Sequence, residues 1–175
     1  MLALLLAVVA VVPAQADPGF IIAEIKVGPA KLVNVGTTTC VGGYQTRTDR
    51  PGFCSPETKR VLVRGMVIEW TYTYADVTST HPEMFVGKQV VVRNANTDVK
   101  RIGQEWGTFV WTRADGLGEW EGTFNNIKFG REGNSWQAVG HGSGELDGLN
   151  MKGEGLAMPG TPANFIARVQ GNGKK

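Results

Sequence analysis

Residues able to do chemistry are sparse in this 175-residue chain, and their spacing excludes more than it suggests. Its two histidines are His81, in the stretch Thr80-His81-Pro82-Glu83, and His141, inside a glycine-rich run. A zinc site needs three or four ligands at recognisable spacing, and neither histidine has them. As an acid/base pair they lack a nucleophile to serve. Glu119 and Glu121 flank Trp120 and so share one face of a strand, with Thr123 following on the same side. The paired carboxylates of a hydrolase need burial that separates their pKa values, and this face reads as solvated. No catalytic constellation, metal site or cofactor is expected.

The run GHGSGELDGLNMKGEG, residues 140–155, is the densest in glycine. A Walker loop needs a Gly-Lys-Ser/Thr step, and the run has none. A dinucleotide turn, GxGxxG, fails because Glu145 or Asp147 stands where the third glycine belongs. A nucleophile elbow, GxSxG, fails because Gly142 holds the serine place. Read as a strand, the run puts Trp136, Ala138, Gly140, Gly142, Gly144 and Leu146 on one face, with His141, Ser143 and Glu145 on the other. A glycine column cannot fill its own space, so bulk is expected from neighbours, Trp120 and Phe124 foremost. Asp147-Gly148 then turns the chain into a returning strand.

Aromatic residues are the remaining candidates for a site. Trp70, Tyr72 and Tyr74 alternate in one segment, Trp106, Phe109 and Trp111 lie in another, and Trp120, Phe124 and Trp136 follow. Such rings either fill a core or line a cavity for an apolar or carbohydrate ligand. Trp70, Tyr72, Trp120, Phe124 and Trp136 are the candidate lining residues, with Arg64 as the charged one. Arg64 interrupts the otherwise apolar face of Leu62, Met66, Ile68, Trp70, Tyr72 and Tyr74, and needs a partner or a place near the end of the sheet. Trp106 falls on the opposite face from Phe109 and Trp111, so one side of that strand carries a ring at the surface.

The elements that must position these side chains are strands. Apolar residues seldom recur at helical spacing, whereas β-branched and aromatic runs bounded by Gly, Asn, Asp and Pro recur throughout. Strands are expected at 20–28, 60–74, 87–94, 105–113, 118–130, 135–146, 149–158 and 164–170, with Ala114-Asp115-Gly116 as a hairpin turn and 159–162 as a breaker. About eight strands joined by short turns predict an all-β, single antiparallel barrel, with a β-sandwich as the alternative.

At the N-terminus the chain is apolar from Leu2 to Val12 and then offers Ala14-Gln15-Ala16, a site of the kind signal peptidases recognise. The apolar run is shorter than the roughly 20 residues a membrane span needs. Residues 1–16 are therefore expected to be a signal peptide and 17–175 one domain, secreted or periplasmic, although no Lys or Arg precedes the run. In that setting Cys40 and Cys54 are expected to form a disulfide. Tying the Gly-, Thr- and Arg-rich loop 40–54 contributes on the order of 3 kcal/mol in the chain-entropy model. The net charge of +2 comes from 18 basic and 16 acidic residues without a single-sign block. It gives no footprint for nucleic acid.

Gly142-Ser143-Gly144-Glu145-Leu146-Asp147-Gly148-Leu149, followed by Gly153-Glu154-Gly155, resembles the closing hairpin of calycin-like barrels related to allene oxide cyclase. The wording is especially similar to a bacterial family of uncharacterised small barrels with that fold. Gly118-Glu119-Trp120-Glu121-Gly122-Thr123-Phe124 is like their preceding strand. The likeness covers about residues 105–155, concerns the fold, and carries over no catalytic residue. The expectation is thus a non-catalytic exported barrel that binds a small apolar ligand or a partner surface. The alternative that the resemblance implies is a cofactor-independent cyclase or isomerase, for which a cavity of several hundred cubic ångströms containing a buried Glu or Arg64 would speak.

Overall fold

The computed structural model describes residues 19–27, 30–77, 86–159 and 164–171. The expected signal peptide and His81 lie outside the described residues. The fold is all-β and antiparallel. Its strands are β1 (Gly19–Val27), β2 (Lys31–Asn34), β3 (Thr37–Val41), β4 (Arg60–Val77), β5 (Gly87–Thr97), β6 (Ile102–Arg113), β7 (Gly118–Phe129), β8 (Asn134–Gly144), β9 (Leu149–Ala157) and β10 (Asn164–Gly171). One sheet runs in the order β1-β10-β9-β8-β7-β6-β5-β4, and β1 also pairs with the far half of β4. The short strands β2 and β3, which the sequence pattern does not mark, cover the remaining edge of β4.

β4 carries the irregularity that sets which side chains turn inward. Its ladder to β5 steps from Val63 opposite Ala95 to Met66 opposite Arg93, leaving Arg64 and Gly65 as a bulge. Gly65 has φ +63°, a conformation cheap for glycine, and the Asn94 side chain accepts its N–H at 3.1 Å. Val61 and Val63 face the core before the bulge, and Met66 and Ile68 after it. The inward parity therefore changes from odd to even. Strict alternation wrongly places Leu62 and Arg64 on the face of Met66 and Trp70; the bulge turns Arg64 out to solvent.

On the core face, side chains stack in rows across the ladders. One row runs Ile68, Val91, Phe109, Gly122, Gly140, Met151, Val169. A large ring in it stands beside two glycines for a steric reason. A Cβ on Gly122 would lie 2.9 Å from Phe109 Cζ and 2.0 Å from the Val139 carbonyl oxygen, and one on Gly140 would lie 3.1 Å from the same Cζ. Phe109, 2% exposed, occupies the space those side chains would need. The side chains nearest the glycine column are Phe109 and Met151 at Gly140 and Leu146 at Gly142, while Trp120, expected from the sequence, stands opposite Gly142 in the ladder. Phe124 instead lies over Gly107.

The expected hairpin turns form. Asp115 accepts the Leu117 N–H at 3.0 Å, and the Gly116 N–H bonds the Arg113 carbonyl at 3.0 Å. β8 ends at Gly144, two residues short of expectation, because Glu145–Gly148 is a turn closed by the Leu149 N–H on the Leu146 carbonyl at 3.0 Å. That turn tucks Leu146 against Gly118 and Gly142, where it is 1% exposed. Cys40 and Cys54 are joined in a disulfide with Cα atoms 5.8 Å apart. The tied loop lays Cys54 and Gly52 over Val61 and Val63, giving this end of the sheet its own apolar cluster with Met66, Ile68 and Ala95.

Crowding of backbone around Gly122 makes it intolerant of a methyl group. Gly122→Ala should destabilise by about 2 kcal/mol or more through overpacking, while Val139→Ala at its exposed neighbour should stay within roughly 0.5 kcal/mol. Chemical denaturation followed by tryptophan fluorescence measures both, and an unchanged midpoint for Gly122→Ala contradicts the packing described.

Candidate functional site

The rows of large and small residues leave a cavity of about 370 Å³ on the core face, bordered by strands β4 to β9. Its apolar wall comes from inward positions of the aromatic strands. Trp70 and Tyr72 stand on β4, Phe109 and Trp111 on β6, Phe124 on β7 and Trp136 on β8. Met151, Val91 and Ala138 complete it. The Tyr72 and Trp111 rings lie 4.5 Å apart between centroids at 31°, within the range of favourable aromatic pairs. Tyr72 donates its hydroxyl hydrogen to Gln89 Oε1 at 2.7 Å. Burial pushes that phenol well above its ordinary pKa, so it remains a neutral donor.

The cavity is polar at the other side, where the same inward parity continues toward the 98–101 and 130–133 turns. Arg93 follows Gln89 and Val91 on β5, Glu105 precedes Phe109 on β6, Asn126 and Lys128 follow Phe124 on β7, and Asn134 precedes Trp136 on β8. Register brings them together: Glu105 is opposite Asn126, and Lys128 is opposite Asn134. The Glu105 carboxylate, 3% exposed, is the hub of the group. Its Oε1 accepts from the Arg93 guanidinium and lies 3.8 Å from Lys128 Nζ, while Oε2 accepts from Asn126 Nδ2 at 2.9 Å. Asn134 Nδ2 donates in turn to Asn126 Oδ1 at 3.0 Å.

Two cations thus share one buried carboxylate. Burial lowers the pKa of both Arg93 and Lys128, Glu105 opposes that, and the charge of Arg101 in the adjoining turn adds to the lowering of each. The Arg93 Nε is buried without a hydrogen-bond partner. The site has donors in excess of acceptors and positive charge in excess of negative.

Of the residues singled out by sequence, Trp70, Tyr72, Phe124 and Trp136 line the cavity together. Trp120 is fully buried in the adjoining core and does not line it. Arg64 is exposed, with its guanidinium 5.1 Å from the centre of the Trp106 ring on the opposite face. His141 and Glu121 likewise stand on the exposed face, 4.0 Å apart. The polar group was missed, although parity contained the signal. Glu105 has the parity of Phe109 and Trp111, and Asn126 and Lys128 have that of Trp120 and Phe124.

The ion cluster should respond unequally to single and paired replacement. Glu105→Leu leaves Arg93 and Lys128 uncompensated in a desolvated wall and should cost about 3 kcal/mol. Combining it with Arg93→Met should restore much of that loss. A double-mutant cycle by urea denaturation reads the coupling, and additive single effects contradict the linkage.

A scan against protein-family models and searches of curated proteins and of solved structures found no match to this chain.

Proposed function

We propose that the protein is an exported β-barrel that holds a small, largely apolar molecule in its ring-lined cavity without transforming it. The observation that carries the reading is the cavity itself. Its volume of about 370 Å³ falls within the range of roughly 300–1,000 Å³ usual for small-molecule sites. Its composition, mostly aromatic and aliphatic with a few convergent polar groups, also fits such sites. The ladders from β1 to both β10 and β4 support closure of the sheet into a barrel. The apolar N-terminal run with its Ala-x-Ala site, and the Cys40–Cys54 disulfide, support export.

Protein purified from its own host should carry a small molecule that survives native mass spectrometry and is lost on denaturation. Ala138→Phe, which places a ring in the cavity, should come off empty with an unchanged far-UV spectrum and intact disulfide. If the unaltered chain comes off empty and an uncharged apolar fluorophore shows no saturable binding, the reading fails.

A second reading, a cyclase or isomerase like allene oxide cyclase, is favoured by one feature, the buried Glu105 in the cavity wall. In it the cavity shapes a reactive substrate and few groups need act on it. Because Arg64 faces away from the cavity, Glu105 replaces it as the residue to test. Glu105→Gln should then abolish turnover of the bound molecule while leaving its binding; binding without any turnover in the unaltered protein removes this reading.

A further inference from the structure

We propose that the cavity takes a small aromatic carboxylate, its negative head against Arg93 and Lys128 and its ring system among the tryptophans. This rests on the ligand-binding reading above and specifies the ligand's chemistry.

The head group follows from a count of donors and charges. Both Glu105 oxygens already accept a hydrogen bond, from Arg93 at one and from Asn126 at the other. Glu105 therefore offers little to a hydroxyl or amine on an incoming molecule. Donors remain in supply. Lys128 Nζ lines the cavity and lies 3.8 Å from Glu105 Oε1, beyond hydrogen-bond distance, so it keeps protons for an incoming acceptor. Arg93 and Lys128 against Glu105 leave one positive charge in the wall, and Arg101 strengthens the positive field from the adjoining turn. One uncompensated cation in a partly buried site matches one negative charge. A carboxylate supplies that charge with two acceptor oxygens, the geometry Arg binds best. A phosphate dianion would overcharge the wall, and an ammonium would meet repulsion.

The body of the molecule follows from the opposite wall. Trp70, Tyr72, Phe109 and Trp111 present their rings there, and Phe124 and Trp136 add two more from the rows that carry Arg93 and Glu105. Flat aromatic bodies gain from each ring contact beyond the area they bury, which an alkyl chain does not.

Isothermal titration of the full chain with naphthoate, naphthamide, naphthylmethylamine and decanoate separates these elements. Naphthoate should bind about tenfold or more tightly than the isosteric naphthamide, as expected of one charge-assisted contact. Naphthylmethylamine should bind weakest, and decanoate more weakly than naphthoate. Lys128→Met should remove most of the preference for naphthoate over naphthamide while leaving naphthamide affinity unchanged, and Lys128→Arg should restore it. Arg93 and Asn126 still hold Glu105 in both variants, and the thermal midpoint checks their folding. Equal affinity for naphthoate and naphthamide overturns the anionic head but leaves the cavity reading standing. Tighter binding of decanoate overturns the aromatic body. If none of the four binds, the inference falls together with the reading it rests on.

Discussion

The close approach of Phe109 to Gly122 and Gly140 is the contact on which the rest of the interior depends. Without Cβ atoms, those glycines let an entire ring lie against the backbone of two adjacent strands. The same exchange recurs one row away, where Phe124 covers Gly107, and again where Leu146 covers Gly118 and Gly142. Each large side chain is thus assigned to a gap in the neighbouring strand, which fixes register as firmly as the ladder hydrogen bonds do. A slip by one residue would drive the rings into backbone and turn the glycines toward water. The pairing of large with absent side chains does not conserve volume everywhere. The cavity lies where the small residues Ala138 on β8 and Ala157 on β9 face the aromatic wall.

The two sides of the cavity obey different energetics. The aromatic side is held by burial and shape, and loses little if one ring is exchanged for another of similar size. The polar side is held by a charge network whose members cannot be removed singly. Taking two cations and a carboxylate out of water is unfavourable, and Coulomb attraction in a low-dielectric wall offsets that only while every oxygen keeps its donors. An apolar set of the same volume would serve stability as well or better. The network is therefore better explained by what it presents to the cavity than by what it adds to the fold.

Much of the architecture was legible in the sequence because it depends on local signals. Alternation marked β5 to β9, Asp115-Gly116 and Asp147-Gly148 marked their turns, and the cysteine pair marked its loop. β2 and β3 were not legible, since four or five residues such as Lys-Leu-Val-Asn give no period of their own and are strands only because β4 offers them an edge. Arg64 was misplaced for a related reason: a bulge is a two-residue event that alternation cannot register, although Gly65 beside it was a visible cue. The aromatic part of the cavity wall could be read from ring parity, since Trp70, Tyr72, Phe124 and Trp136 all line it. The ionic half was hidden because a charged residue in a strand is ordinarily solvent-facing; parity marks Glu105 and Lys128 as inward, and cross-strand register is what brings Glu105 beside Asn126 and Lys128 beside Asn134.

The turn beside that ionic group departs from the rule that positive φ belongs to glycine. Arg101 has φ +65°, alone among the described non-glycine residues, in a turn where Asp98 accepts the Ile102 N–H at 2.8 Å and the Arg101 N–H bonds the Asp98 carbonyl at 3.0 Å. Glycine would relieve a strain of order 1 kcal/mol at such a position, so an arginine there has to be explained by its side chain. Its guanidinium reaches over Phe53 in the disulfide-tied loop, 5.9 Å from the ring centre, and Arg47 approaches the same ring at 5.4 Å. The loop that Cys40 and Cys54 close is thereby joined to the β5–β6 turn, and its aromatic contact helps to place a cation whose field reaches Arg93 and Lys128. On this view the disulfide has a consequence beyond the entropy of its own loop. It supports one wall of the turn whose charge biases the cavity toward anions, and so couples the least regular part of the chain to the chemistry of its most regular part.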